Sequence, residues 1–198
     1  MSQPLRFLLD QGFPLPRFDI HALDRSVVYV HLSEYAAKYS QSSTPDWMLH
    51  LVAADGGFDG VVTLDRSQLD EEAELVALAS SRVSVVTWDN GDEDPIVLWG
   101  QLLAYMPQVV KTMETIRPVV VTLPNPRLRR GSHVHRPEDL VREMGARDRV
   151  SYPERRARAV DLMLSELAKR GEDHLAVHLE QRPGRSKRKR EQRDRDKA

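Results

Sequence analysis

The sequence predicts an α/β fold, an open parallel sheet with helices on both faces, and three observations carry that prediction. Short apolar runs recur at 5–9, 27–30, 60–64, 83–87 and 118–122, the last four rich in β-branched residues. Stretches with helically spaced apolar residues separate them, so strand and helix alternate. Runs of this kind read as strands buried on both faces, and right-handed crossovers leave an open parallel sheet as the simplest closure. Finally, two of the runs end in a carboxylate, Asp10 and Asp65, at the edge where open α/β sheets place their sites.

Strand one, 5–9, closes at Asp10-Gln11-Gly12. Residues 15–23 predict a first helix entered through Pro14 and Pro16, whose fixed φ suits a helix start. Val27-Val28-Tyr29-Val30 is the second strand, and the polar stretch 32–43 predicts a loop with a helical turn. Thr44 offers an N-cap, with Pro45 at the first helical position and Asp46 in the first turn. Met48, Leu49, Leu51, Val52 and Ala53 supply that helix's apolar side. After the strand ending at Asp65, Ser67-Gln68-Leu69-Asp70 has the form of a capping box with Asp in the Glu place. Leu69, Ala73, Leu75, Val76 and Leu78 form the stripe of the helix that follows. The fourth strand, 83–87, leads into an acidic loop at 88–94. Asp94-Pro95 opens a longer helix with Trp99, Leu102, Leu103, Met106, Val110 and Met113 at helical spacing. Pro107 is expected to kink it or to join two helices. The fifth strand, 118–122, completes the pattern, which Pro124 and Pro126 end.

The 198 residues suffice for one ordinary domain plus an appendage, and 40% hydrophobic content supports a packed core. The chain divides into an α/β unit at 1–125, a partly helical extension at 126–181 and a basic tail at 182–198. In the extension, 126–149 reads as an Arg-rich loop containing His133 and His135. Ser151 and Pro153 start a helix with Val160, Met163, Leu164 and Leu167 on one face, Gly171 interrupts it, and 174–181 resumes helix or forms a short strand. The tail has nothing to bury and is expected to be disordered. Charge is split along the chain: 1–125 holds 17 acidic and 8 basic residues, and 126–198 holds 13 and 21. The absence of cysteine excludes disulfides, thiolate metal sites and a cysteine nucleophile. No apolar run reaches the roughly 20 residues of a membrane span, and the N-terminus lacks the pattern of a signal peptide. A cytoplasmic protein with no membrane partner is the expectation.

Asp10, Asp46 and Asp65 are predicted to converge at the carboxyl edge of the sheet. Acidic groups gathered without basic partners suit a hard divalent cation, and Mg²⁺ takes oxygen ligands while keeping several waters. Such an ion activates water and neutralises phosphodiester charge during hydrolysis. Each residue also has a plain structural reading: Asp10 in a turn, Asp46 complementing a helix dipole, Asp65 before the Ser67 turn. Their shared location favours a site. His133-Val134-His135 and the pair His174 and His178 read as exposed or capping residues, because zinc wants three or four ligands.

Phe7-Leu8-Leu9-Asp10-Gln11-Gly12-Phe13-Pro14 resembles the opening of PIN-like nuclease domains, a strand followed by an Asp with a Pro soon after. Thr44-Pro45-Asp46 and the run from Gly60 to Asp65 are similar to the second and third acidic positions of that family. The later helix and strand also fit the VapC-type variants, so the resemblance spans 4–125. It implies a flavodoxin-like sheet and a metal-dependent ribonuclease of the kind found in toxin–antitoxin pairs. On that resemblance Asp10, Asp46 and Asp65 are catalytic ligands of Mg²⁺ or Mn²⁺, and Asp70 or Asp89 supplies a weaker fourth. The implied partners are RNA and an antitoxin or other protein, with a homodimer also compatible. Gln11 stands where the family carries an acid, so a catalytically silent PIN-like module that binds RNA or a protein is the alternative. A response-regulator receiver would need a Lys after the fifth strand, where Thr122-Leu123-Pro124 has none, and a haloacid-dehalogenase-type phosphatase needs an Asp-x-Asp that Asp10-Gln11-Gly12 lacks. In the tail, Arg185, Lys187, Arg188, Lys189 and Arg190 are candidate phosphate-backbone contacts that would bring RNA to an otherwise acidic unit, or else a solubilising tail.

Overall fold

Six strands form one sheet in the order β2-β1-β3-β4-β5-β6. The computed structural model describes residues 3–16, 20, 25–41, 43–89, 94–124 and 133–180. The strands are β1 (Leu5–Leu9), β2 (Val27–His31), β3 (Gly60–Val62), β4 (Ser84–Trp88), β5 (Val120–Leu123) and β6 (His133–His135). The first five pair in parallel, as predicted, and β6 joins β5 antiparallel. The chain leaves β1 for β2 on one side and returns to the other side for β3. In such a sheet the crevice opens outside the carboxyl ends of the two strands where the order reverses, here β1 and β3.

The strand residues alternate between two cores. Leu8, Val61, Val85 and Val120 face one side, with helices α2 (Asp46–Asp55) and α3 (Glu72–Ser81). Phe7, Leu9, Val62, Val86 and Val121 face the other, with helix α4 (Pro95–Thr115), Phe13 and Ile20. Gly60 is required by this packing, because a Cβ there would lie 2.5 Å from the ring of Phe7, its register partner on β1.

The C-terminal region is more regular than its sequence suggests. Helices α5 (Pro137–Asp148), α6 (Tyr152–Arg170) and α7 (Val177–Glu180) follow β6, with a 3₁₀ turn at Asp173–Ala176. Val141, Ala159, Met163, Leu167, Leu175 and Leu179 belong to the same core cluster as α2 and α3. The reason lies in α3 itself: eight consecutive residues, Glu74 to Ser81, are buried. A helix apolar on nearly all sides needs cover on nearly all sides. The sheet and α2 cover part of α3, and the C-terminal helices cover the rest.

Several local expectations need correction. His133 and His135 lie on a strand rather than in a loop, since a three-residue exposed strand offers no alternation to read. The α5 helix replaces part of the expected loop; its Pro137 start and acidic first turn were the available signals. The α2 cap position is Pro45, with no side-chain cap bond, so Thr44 is not the N-cap. Asp65, not Ser67, caps the segment after β3, which is a 3₁₀ turn (Arg66–Leu69) before α3 begins. Of the two expectations for Pro107, the joint between two helices is excluded, because it sits inside one continuous helix. The polar stretch after β2 does contain a helical turn, α1 (Leu32–Tyr35), and then a 3₁₀ turn at Ala37–Tyr39. Of the predicted helix 15–23, Leu15 and Pro16 are described and are not helical, and Ile20 is buried; its other residues and the tail 182–198 lie outside the described residues.

Because α6 shares the sheet's core, Met163→Ala should destabilise the whole fold by about 2–5 kcal/mol. Urea unfolding followed by circular dichroism checks this. An unchanged midpoint would mean that α6 is not part of the cooperative core.

Candidate functional site

Asp10 follows β1 directly, and its backbone N–H donates to Val62 O of β3 at 2.9 Å. Its two carboxylate oxygens are separately engaged. Oδ1 accepts from the Gln11 N–H at 2.7 Å, and Oδ2 accepts from the Thr63 hydroxyl at 2.9 Å. The same hydroxyl accepts from the Asp65 N–H at 3.1 Å. A buried threonine therefore links the first carboxylate to the backbone of the third. The turn after Asp10 is held from β2: His31 Nε2 lies 3.2 Å from the Phe13 carbonyl, and Nδ1 lies 3.2 Å from the Ser33 N–H. A carbonyl can only accept and a backbone N–H can only donate, so these contacts describe a neutral ring with its proton on Nε2.

Asp65 spends Oδ1 on the turn it caps, accepting from Ser67 N–H at 2.9 Å and Ser67 Oγ at 2.6 Å. Asp46 is exposed in the first turn of α2. Partial burial raises its carboxyl above the ordinary value, and the charges of Asp65 and Asp10 raise it further. Asp10 is likewise raised, first by burial and also by Asp65, against the lowering effect of its Thr63 and Gln11 bonds. The three predicted carboxylates are therefore close enough to sense one another. Among the described residues none of them has an ion-pair partner. His50, one turn after Asp46, gives no relief: it is fully buried, and burial pushes it down to about 3, so it is neutral.

The two candidate fourth ligands fare differently. Asp89, after β4, is paired with Arg66 at 2.9 Å, so its charge is already balanced. Asp70 donates its backbone N–H to Ser67 O and is exposed. The acid that sequence reasoning missed is Glu74, in the first turn of α3. It is 6% exposed, its Oε2 is buried without a hydrogen-bond partner, and it is pushed up to about 9 by burial, then by Asp46, Glu71, Asp65 and Asp70. It directly precedes the apolar run Leu75 to Ala79, but as the last of the acids Asp70, Glu71, Glu72 and Glu74 it does not stand out in the sequence.

Among the described residues, no group of three or more His, Asp or Glu side chains is arranged to hold a metal ion as the side chains stand. The donors nevertheless fit a hard cation in kind. They are carboxylate oxygens, two are raised first by burial and then by a neighbouring acid, and Glu74 Oε2 is an orphaned buried oxygen. A cleft of about 120 Å³ opens next to Asp10 and Asp46, lined also by Gln11, Tyr39, Gln41 and Thr44. The basic residues Arg185, Lys187, Arg188, Lys189 and Arg190 lie outside the described residues.

Glu74 has a consequence for stability. Its folded pKa of about 9 exceeds its ordinary 4.5, so the native state holds a proton that the unfolded state releases. Stability is then fully present below pH 4.5 and falls as pH rises toward 9, by about 3 kcal/mol at pH 7. Glu74→Gln should remove this slope, leaving a variant more stable than wild type at pH 8 and equal to it at pH 4. Thermal unfolding across that range measures it, and parallel pH profiles for the two proteins would contradict it.

No helix among the described residues is long and apolar enough to cross a membrane. No family model, curated protein or solved structure matches this chain, so the site is read from its own chemistry.

Proposed function

We propose that the protein is a Mg²⁺- or Mn²⁺-dependent ribonuclease of PIN-like type, hydrolysing RNA phosphodiester bonds, with Asp10, Asp46 and Asp65 as the metal-holding residues. The observation that carries the reading is the placement of Asp10 and Asp65 just past the ends of β1 and β3, where the crevice opens. Asp46 lines the cleft beside Asp10, and none of the three has an ion-pair partner among the described residues. An ion bound there would supply activated water and charge neutralisation. Asp10 is positioned by Thr63 and the Gln11 N–H, which fix the direction of its two oxygens. Asp65 is positioned by Ser67. Asp46, exposed at the start of a helix, is the ligand with most freedom to approach an incoming ion. The toxin of a toxin–antitoxin pair is the physiological setting that this reading suggests, with the basic tail bringing RNA to an acidic surface.

A second reading, a catalytically silent module that binds RNA or a protein partner, is favoured by specific features. Gln11 replaces an acid, and Asp89 is neutralised by Arg66. The two readings separate on activity. Under the first, single-stranded RNA is cleaved only with Mn²⁺ or Mg²⁺, and Asp10→Asn lowers the rate by at least about 100-fold. Thr63→Val, which removes the hydrogen bond to Asp10 Oδ2 and the acceptor of the Asp65 N–H, costs roughly 10–100-fold. Cleavage that is metal-independent, or equal in wild type and Asp10→Asn, would remove the ribonuclease reading.

A further inference from the structure

The cleft beside Asp10 and Asp46 has a wall built by residues far away in sequence. Its aromatic member, Tyr39, donates its hydroxyl to Glu172 Oε2 at 2.7 Å, and Lys38 Nζ reaches Glu172 Oε1 at 2.7 Å. Arg170 Nη2 donates to the Ser43 carbonyl at 2.9 Å. Residues 170 and 172, just where α6 ends, thus tie down both ends of the segment 38–43. The Lys38 ammonium also lies 4.5 Å from the Tyr39 ring centroid. The ring is held before any ligand arrives, which lowers the ordering cost of binding.

The chemistry of the cleft narrows what would fill it. About 120 Å³ is well short of a drug-sized pocket. It has room for one small flat ring. Tyr39 offers an aromatic surface, and Gln11 and Gln41 offer primary amides that both donate and accept. Unpaired RNA bases are recognised by this combination, an aromatic side chain for stacking and polar groups for the base edge. A base in a duplex is already stacked and paired, and cannot enter.

We propose that this cleft takes a single unpaired pyrimidine base of the RNA, stacked against Tyr39 and read by Gln11 and Gln41, so that the adjoining phosphate lies at Asp10 and Asp46. Glu172 and Arg170 are positioning residues for that pocket, which gives the C-terminal helices a role at the site. The inference rests on the ribonuclease reading for its substrate class, but its test needs no cleavage.

The test is binding of fluorescently labelled hexauridylate to the full chain in Ca²⁺, an oxygen-liganded cation that neutralises carboxylates beside a phosphate, next to hexaadenylate and a duplex of the same length. Wild type should prefer hexauridylate to both. Tyr39→Ala should weaken hexauridylate binding about tenfold, within the range for losing a base–aromatic stack, and leave duplex binding unchanged. Tyr39→Phe keeps the ring and should retain most of the affinity. Glu172→Ala should weaken binding several-fold, and Glu172→Gln, which keeps an acceptor for the Tyr39 hydroxyl, should restore it. Gln41→Ala, at an exposed position that the fold does not need, should narrow the preference for uridine over adenosine. Equal affinity of wild type for single strand and duplex would overturn the proposal, as would unchanged binding in both Tyr39→Ala and Gln41→Ala. If Tyr39→Ala fails to fold, Gln41→Ala decides. Selective binding without metal-dependent cleavage would sink the nuclease reading and keep the pocket, whereas cleavage without selective binding would sink the pocket alone.

Discussion

The Thr63 hydroxyl has one proton and stands between two neighbours that set its direction. The Asp65 backbone N–H can only donate to it, so its own proton goes to Asp10. This arrangement follows from the parallel pairing of β1 with β3, in which Leu9 is opposite Val62. The next residue on each strand, Asp10 and Thr63, then lies side by side at the carboxyl edge. Burial is the main reason that Asp10, Asp46 and Glu74 are all raised, and the charges of neighbouring acids raise each of them further. A fold that keeps acids together without a basic partner either binds a cation there or holds protons there. The proposed chemistry grows from that constraint.

Much of this was legible in the sequence, for reasons that differ between residues. The five parallel strands were readable because buried strands are short, apolar and β-branched, and the carboxylates at their ends stand out against those runs. The placing of Asp10 and Asp65 at one edge was readable because each follows a strand of the same parallel sheet, while Asp46, which lines the cleft beside Asp10, comes from a helix start. Glu74 was not, because a glutamate in a first helical turn is the ordinary complement of a helix dipole. Only the later helices show that this one is enclosed. The pairing of Asp89 with Arg66 was equally hidden, since it joins the turn after β3 to the end of β4 across 23 residues. Sequence spacing says which acids approach the edge and says little about which of them a nearby arginine has already claimed.

The C-terminal helices follow from a different signal. The α3 segment from Leu75 to Ala79 has no polar face, so it demands an outer layer as well as the sheet and α2. Met163, Leu167, Leu175 and Leu179 provide that layer. Once α6 is in place, its last turn meets the loop before α2, where Arg170 and Glu172 bond Ser43, Lys38 and Tyr39. Packing demand at α3 and shaping of the cleft beside Asp10 thus have one structural cause. These contacts between exposed or half-buried groups contribute little to stability individually, and their effect is to fix geometry.

Direct calorimetric titration with Mn²⁺ tests the central claim, that the uncompensated carboxylates at the β1 and β3 ends form a cation site. The account predicts saturable binding to wild type, with the unfolding midpoint rising as Mn²⁺ is added and the native state gaining about 2.7 kcal/mol at 100 times the dissociation constant. It also predicts that Asp65→Asn loses both effects. A wild-type midpoint unmoved by Mn²⁺, or equal binding by wild type and Asp65→Asn, would contradict it.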